Sequence, residues 1–134
     1  MERWLGSYSE WSYGLLRIVA GLFFACHGAQ KLFGMFGGSG AQGNPLMLTA
    51  GIIEFFGGLL IALGLWTGIA AFVSSGQMAV AYFMMHAPGG FWPIQNQGEL
   101  AALYCFAFLY IACKGTGRLG IDAIFSKPRA MRGV

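Results

Sequence analysis

The chain has 134 residues, of which 57% are hydrophobic and only 10% charged, against about 25% charged in soluble domains. With a mean hydropathy of +0.62, this excludes an ordinary soluble domain and a disordered chain, which needs low hydrophobicity and high net charge. A net charge of +3 is too weak and dispersed for a nucleic-acid footprint, so the expected partner is the lipid bilayer. Twenty-two glycines without a G-X-Y period exclude collagen. In so apolar a chain they point to closely packed transmembrane helices.

The N-terminus Met1-Glu2-Arg3-Trp4 starts no signal peptide, because the first apolar run is too long and has no cleavage pattern behind it. Trp4, Tyr8 and Trp11 recur at i, i+4, i+7, the spacing of a short helix lying in the headgroups. A membrane-spanning helix needs about 20 mostly apolar residues. Four segments qualify: 13–33, 46–65, 67–85 and 98–114. Pro45, Pro88, Pro93 and Pro128 all fall outside them, as expected of a residue that interrupts helices. The connectors are a glycine-rich stretch 34–45, a near-absent turn at Trp66, and 86–97. Ile121, Ile124 and Phe125 beside Lys127 and Arg129 are a second interfacial flank. The expected fold is all-α, an integral membrane four-helix bundle with short interfacial flanking helices, forming a single domain over 1–134.

Arg3 precedes the first span, and Lys114, Arg118, Lys127, Arg129 and Arg132 lie at or after the last, while neither outer connector carries Lys or Arg. The positive-inside rule then places both termini in the cytoplasm, and Lys31 is the one dissenting charge.

Polar residues that survive in a bilayer face protein or water, or snorkel to the interface. In the first span Arg17, Ala20, Phe24, His27 and Lys31 form one stripe about 80° wide. Arg17 and Lys31, near opposite ends, are expected to snorkel; His27 is too short to do so. In the second span Gly51, Glu54, Gly58, Ala62 and Leu65 form a similar stripe, whose small residues let another helix approach. Antiparallel spans bring His27 and Glu54 to one depth in the outer half, so a His27–Glu54 pair is expected. A structural hydrogen bond is its plainest role. In the third span Ser74 and Gln77 share a face, with Gln77 reading as interhelical glue. Ser75, Tyr82 and His86 share another face. His86 ends that span and Glu99 opens the fourth at the same boundary, so the two are expected to approach. The carboxylate of Glu99 also suits a helix N-terminus.

Two histidines and two carboxylates are metal-ligand types, yet no Glu-x-x-His pair is present, and no metal site is expected. No P-loop, dinucleotide fingerprint or Ser-His-Asp order appears, and no flavin, haem or iron–sulfur pattern. Cys26, Cys105 and Cys113 are odd in number, lack CxxC spacing and sit in apolar runs. They read as small buried hydrophobes.

The ordered blocks Arg17…Gly21, His27-Gly28…Lys31, Glu54-Phe55-Phe56-Gly57-Gly58, Gly64-Leu65-Trp66-Thr67, Met78…His86, Gly90-Phe91-Trp92-Pro93, Asn96-Gln97-Gly98-Glu99-Leu100 and Gly115 through Asp122 carry a resemblance. Over about residues 13–124 the chain resembles the DoxX family of small four-span membrane proteins. It departs at Gly68, where the family often has a basic residue. The family is named for a membrane subunit associated with thiosulfate:quinone oxidoreductase. Other members are linked to redox or oxidative-stress systems in bacterial membranes, and related superfamily members include cargo receptors and disulfide-linked maturation factors. The resemblance implies fold more firmly than reaction.

Two functions are expected from this reading. The first is a quinone-interacting component of a membrane redox system in the bacterial cytoplasmic (inner) membrane, served by a soluble or membrane oxidoreductase partner. There Glu54 and His27 are the catalytic pair, Glu54 relaying protons, and Lys31, Gln77, Tyr82, His86 and Glu99 bind ligand. The second is a non-enzymatic module, binding or transporting a small hydrophobic or protonatable ligand, or serving as an assembly partner. A homo-oligomer is compatible with either.

Overall fold

The computed structural model describes residues 2–126; Lys127, Pro128, Arg129 and Arg132 lie outside them. The described chain is helical, with no strand among the described residues. Helix α1 (Glu2–Leu5) and a 3-10 turn lead into α2 (Ser9–Phe33). Then follow α3 (Pro45–Leu63), α4 (Thr67–Ala81), α5 (Pro93–Asn96), α6 (Glu99–Lys114) and α7 (Ile121–Phe125). Between α4 and α5 the chain passes through a π turn, Tyr82–His86, and a 3-10 turn, Ala87–Gly89.

Local chemistry explains the boundaries. Gly34 and Gly64 end α2 and α3 with φ of +66° and +71°, a left-handed conformation that costs glycine nothing. Asn44 starts α3 by accepting from the Leu46 and Met47 amides, and Pro45 takes the first helical position, where its missing N–H is no loss. The third expected segment loses α-helical geometry at Tyr82, three residues short of its expected end at Met85.

Three helical stretches are long and apolar enough to cross a membrane: Arg3–Phe33, Pro45–Leu63 and Thr67–Gly89. The fourth expected span is α6, of 16 residues, about 24 Å long at 1.5 Å per residue against a hydrocarbon core of about 30 Å. On length and apolar character, then, three of the four expected spans are present.

Packing rests on glycine and aromatic residues. A Cβ placed on Gly21 would lie 2.6 Å from the Ala62 amide nitrogen, and one on Gly58 2.5 Å from that of Ala25, so α2 and α3 meet backbone to backbone. In a bilayer such close van der Waals packing replaces the missing hydrophobic drive between helices. Phe24 of α2 reaches α6, its ring centroid 4.7 Å from Phe108, and Tyr104 stacks on Phe108 at 5.2 Å. Ile61, Ala71 and Ile111 complete the buried centre.

The start of α2, the α3–α4 turn and the chain after α6 gather at one end of the molecule, the terminal end. Arg17 is fully buried there, so the expected snorkelling is overturned. Its guanidinium donates to the carbonyls of Ile61, Ala62 and Leu119. The first two lie at the C-terminus of α3, where Ile61 also accepts the Gly64 amide and Ala62 has no other donor among the described residues; that helix end also attracts a cation through the helix dipole. Trp66 has φ +48° and its side chain caps nothing. The N-terminus of α4 is capped instead by Asp122 of α7, which accepts from the Trp66 and Thr67 amides and the Thr67 hydroxyl. Thr116 Oγ1 donates to the Gly64 carbonyl, and Tyr13 to that of Gly115. Lys114 and Glu10 pair at 2.6 Å.

The expected burial of the cysteines is also corrected. Cys26 and Cys113 are exposed, Cys105 is half-buried, and all three are free thiols. Helix faces directed away from the centre carry apolar residues throughout, including Leu22, Phe72 and Leu103, and Cys26 and Cys113 belong to that lipid-compatible surface.

Candidate functional site: a polar-walled cleft

At the opposite end, where the long connectors lie, the helices enclose a cleft of about 630 Å³. Its walls come from α2, α3, α4 with its π turn, and α6, and are mostly apolar. Five residues of the sequence-derived site line it: His27, Lys31, Glu54, Gln77 and His86.

Glu54 is the centre of the polar wall and is 2% exposed. Its Oε2 receives Lys31 Nζ at 2.5 Å, and its Oε1 accepts from Gln77 Nε2 at 2.9 Å. Three helices thus converge on one carboxylate. The reason lies in the α3 stripe. Gly51, one turn before Glu54, has no side chain, so the Lys31 stem lies flat against it; a Cβ there would meet Lys31 Cβ at 3.0 Å. Lys31 then runs inward to Glu54 and keeps a side-chain exposure of 25%. A buried carboxylate is tolerated only when paired and hydrogen-bonded, and both conditions hold.

The expected His27–Glu54 pair does not form. The closest approach of α2 to α3 is at Gly28, against the Phe55 backbone. One residue earlier, His27 is rotated by about 100° toward α6, where its ring stands edge-on to Tyr104 with centroids 6.3 Å apart. It has no hydrogen-bond partner among the described residues. His27 and Tyr104 separate the cleft from a smaller pocket of about 240 Å³ that Cys26, Gln30 and Phe36 also line.

The connector residues divide. His86 Nδ1 lies 3.2 Å from the Asn96 carbonyl oxygen, so its partner is Asn96 and not the expected Glu99. Glu99 is exposed, off the cleft wall and without a hydrogen-bond partner among the described residues. Tyr82 also stands off the wall: its hydroxyl donates to the Phe91 carbonyl and accepts from Asn96 Nδ2. Asn96 is buried, donates to the Gly90 carbonyl as well and accepts from the Gly98 amide, so it braces the connector under the cleft. In the sequence Asn96 stood out only within a block shared with the DoxX family, which assigns it no structural role. Gln77 Oε1 and Ser74 Oγ are buried without a partner; Gln77 lines the cleft and Ser74 does not. No group of three or more His, Cys, Asp or Glu residues close enough to hold a metal occurs among the described residues.

Apolar helices long enough to span a bilayer, glycine-mediated packing and a polar cluster inside an apolar cleft define a small helical membrane protein. The chain belongs to the DoxX family, whose model matches residues 13–87, from the start of the first apolar helix through the π turn. An uncharacterized protein of Haemophilus influenzae is 44% identical over 130 residues, covering 92% of this chain and 97% of that protein. That similarity extends the relationship well beyond the family match, to most of the chain. No solved structure matches the chain.

Proposed function

We propose that the protein crosses the bacterial cytoplasmic membrane four times, with both termini in the cytoplasm, and binds a quinone in the cleft as part of a membrane redox system. The fourth crossing is α6. The basic residues Arg3, Lys114 and Arg118 collect at the terminal end, in keeping with the positive-inside rule. Lys31, the exception, is neutralised by Glu54. Cysteines placed at Ser39 and Gln95 should be labelled from outside the cell; labelling of either only from inside overturns the topology.

The observation that carries the ligand reading is the cleft itself. Its volume of about 630 Å³ suits a small-molecule site, and a few polar groups are set in its apolar walls. The residues fit a quinone head. His27 and the spare N–H groups of Lys31 are donors for carbonyl oxygens, and the unpartnered Gln77 Oε1 is an acceptor for the hydroxyl of the reduced form. A bound quinone would supply two-electron, two-proton chemistry. Glu54 would hold a proton and exchange it with Lys31, Gln77 would orient the carboxylate, the apolar walls would exclude water, and electrons would come from a partner oxidoreductase. In the second reading the cleft anchors a non-redox lipid. The mutual satisfaction of Lys31 and Glu54 favours it, since a static anchor needs no free base.

Purification in mild detergent, followed by mass spectrometry of the extracted lipids and a redox difference spectrum, tests both readings. A stoichiometric quinone lost in Glu54→Ala supports the first. A stoichiometric lipid that is not a quinone supports the second, and a cleft that retains no lipid overturns both.

A further inference from the structure

We propose that the cleft opens sideways between α3 and α4 into the hydrocarbon of the membrane, and that Gly76 determines which ligands enter by keeping this mouth wide enough for a hydrocarbon tail. The inference rests on the cleft being a ligand site, and it commits to one class of ligand: a bilayer-dissolved amphiphile with a compact polar head and a single apolar tail.

The glycines of the helices fall into two groups. At Gly21, Gly28, Gly51 and Gly58 an added Cβ would press on the neighbouring helix; the close approach of α2 to α3 requires them. Gly76, in the middle of α4, is different. A Cβ there would meet nothing within 4 Å, and the position is exposed. Glycine lowers helix propensity at such a site, and no packing contact accounts for it. Gly76 nevertheless lines the cleft.

Its depth indicates where the mouth faces. Gly76 is nine residues beyond Thr67, about 13 Å along the helix, near the middle of a hydrocarbon core about 30 Å thick. Val73 and Val80, three residues before it and four after, also line the cleft and are 47% and 52% exposed. A mouth at the water surface alone would leave these mid-depth residues covered. The reason for the gap is visible along the α3–α4 seam. The two helices leave a tight turn at Gly64–Trp66 and touch where Gly57 faces Ser74, a Cβ on Gly57 lying 2.8 Å from Ser74 Oγ. Beyond that contact the Gln77 and Glu54 side chains bridge the two helices, and Ile53, Ala50 and Met47 on one side and Val80 and Met84 on the other are cleft lining. A head bound at Glu54, Lys31 and Gln77 would leave its tail to pass Gly76 into lipid.

A fatty acid carrying a diazirine at its tail, photolysed in phosphatidylethanolamine–phosphatidylglycerol proteoliposomes, tests this without reference to any quinone. Met78 and Tyr104 line the cleft but are only 7% and 8% exposed, so bulk lipid cannot reach them. Adducts on both are expected in the unaltered chain. Gly76→Leu should reduce them by about tenfold, the scale on which a few methylenes decide access to an apolar pocket, while adducts on lipid-facing Ile69 and Leu103 stay constant. Gly76→Ala, which intrudes little, should keep cleft labelling. Absence of adducts on Met78 and Tyr104, or equal labelling in Gly76→Leu, overturns the lateral mouth. A purified protein that carries a lipid other than quinone overturns the redox reading and leaves these adducts unchanged, so the two failures are distinguishable.

Discussion

The two ends of the molecule solve the burial of polar groups in opposite ways. At the terminal end, most hydrogen bonds are made to backbone. Arg17 donates to three carbonyls, Asp122 receives two amides, and Thr116 and Tyr13 each donate to a further carbonyl. At the connector end, the central hydrogen bonds run between side chains of different helices, Lys31 and Gln77 on Glu54, with His27 and Gln77 Oε1 left over. Backbone contacts fix where helices end. Side-chain contacts around a cavity can be exchanged for contacts to a ligand. The difference makes the terminal end a structural clasp and leaves the candidate site at the connector end.

Arg17→Met should produce the largest loss of stability, about 3 kcal/mol, because it takes the guanidinium from the Ala62 and Leu119 carbonyls, at on the order of 1–3 kcal/mol for each unpaired group, and removes a second donor from the Ile61 carbonyl. Thermal unfolding in detergent measures it. A loss no greater than that of a cleft variant would erase the contrast between the ends.

Asp122→Ala should cost less, about 1–2 kcal/mol, the usual range for a lost helix cap. Asp122→Asn, which retains an acceptor, should recover part of it. Hydrogen exchange gives a sharper signature: the Trp66 and Thr67 amides should lose protection in Asp122→Ala while the middle of α4 keeps it.

At the cleft the expected effects are smaller. A double-mutant cycle on Lys31→Ala and Glu54→Ala should give a coupling of about 1 kcal/mol, since both partners are paired and one is only partly shielded. The same cycle on His27→Ala and Glu54→Ala should give a value near zero. Glu54→Gln should cost about 1 kcal/mol, because glutamine keeps one acceptor oxygen where Glu54 offers two, turns an amide N–H toward Lys31 or Gln77 and removes the charge that Lys31 pairs with. A large His27–Glu54 coupling would restore the pair that the helix rotation separates.

Much of the helix plan was legible in the sequence, because apolar run length, Asn44-Pro45 and the glycines after Phe33 and Leu63 act locally. The π turn was not: Tyr82 and His86, at its two ends, bond to Asn96 in the connector, a partner that the run itself does not contain. Depth was legible at the site: counting along antiparallel helices placed Lys31, His27 and Glu54 together in one half of the molecule. Azimuth was not. A helix stripe about 80° wide can serve two neighbours, and here Lys31 meets α3 while His27 meets α6.

Hydropathy and run length by themselves determined that this is a helical membrane protein with a polar cluster toward one end, because those signals follow from the covalent sequence and the solvent. Only the tertiary structure decided which partners the buried charges take. Arg17 has carbonyls within reach only because α3 ends beside it and α7 folds back beneath the α3–α4 turn. Glu54 has Lys31 rather than His27 because Gly28 and Gly51 set the rotation of α2 against α3. Both pairings depend on the distance and rotation between helices, which steric contact sets and no one-dimensional pattern encodes.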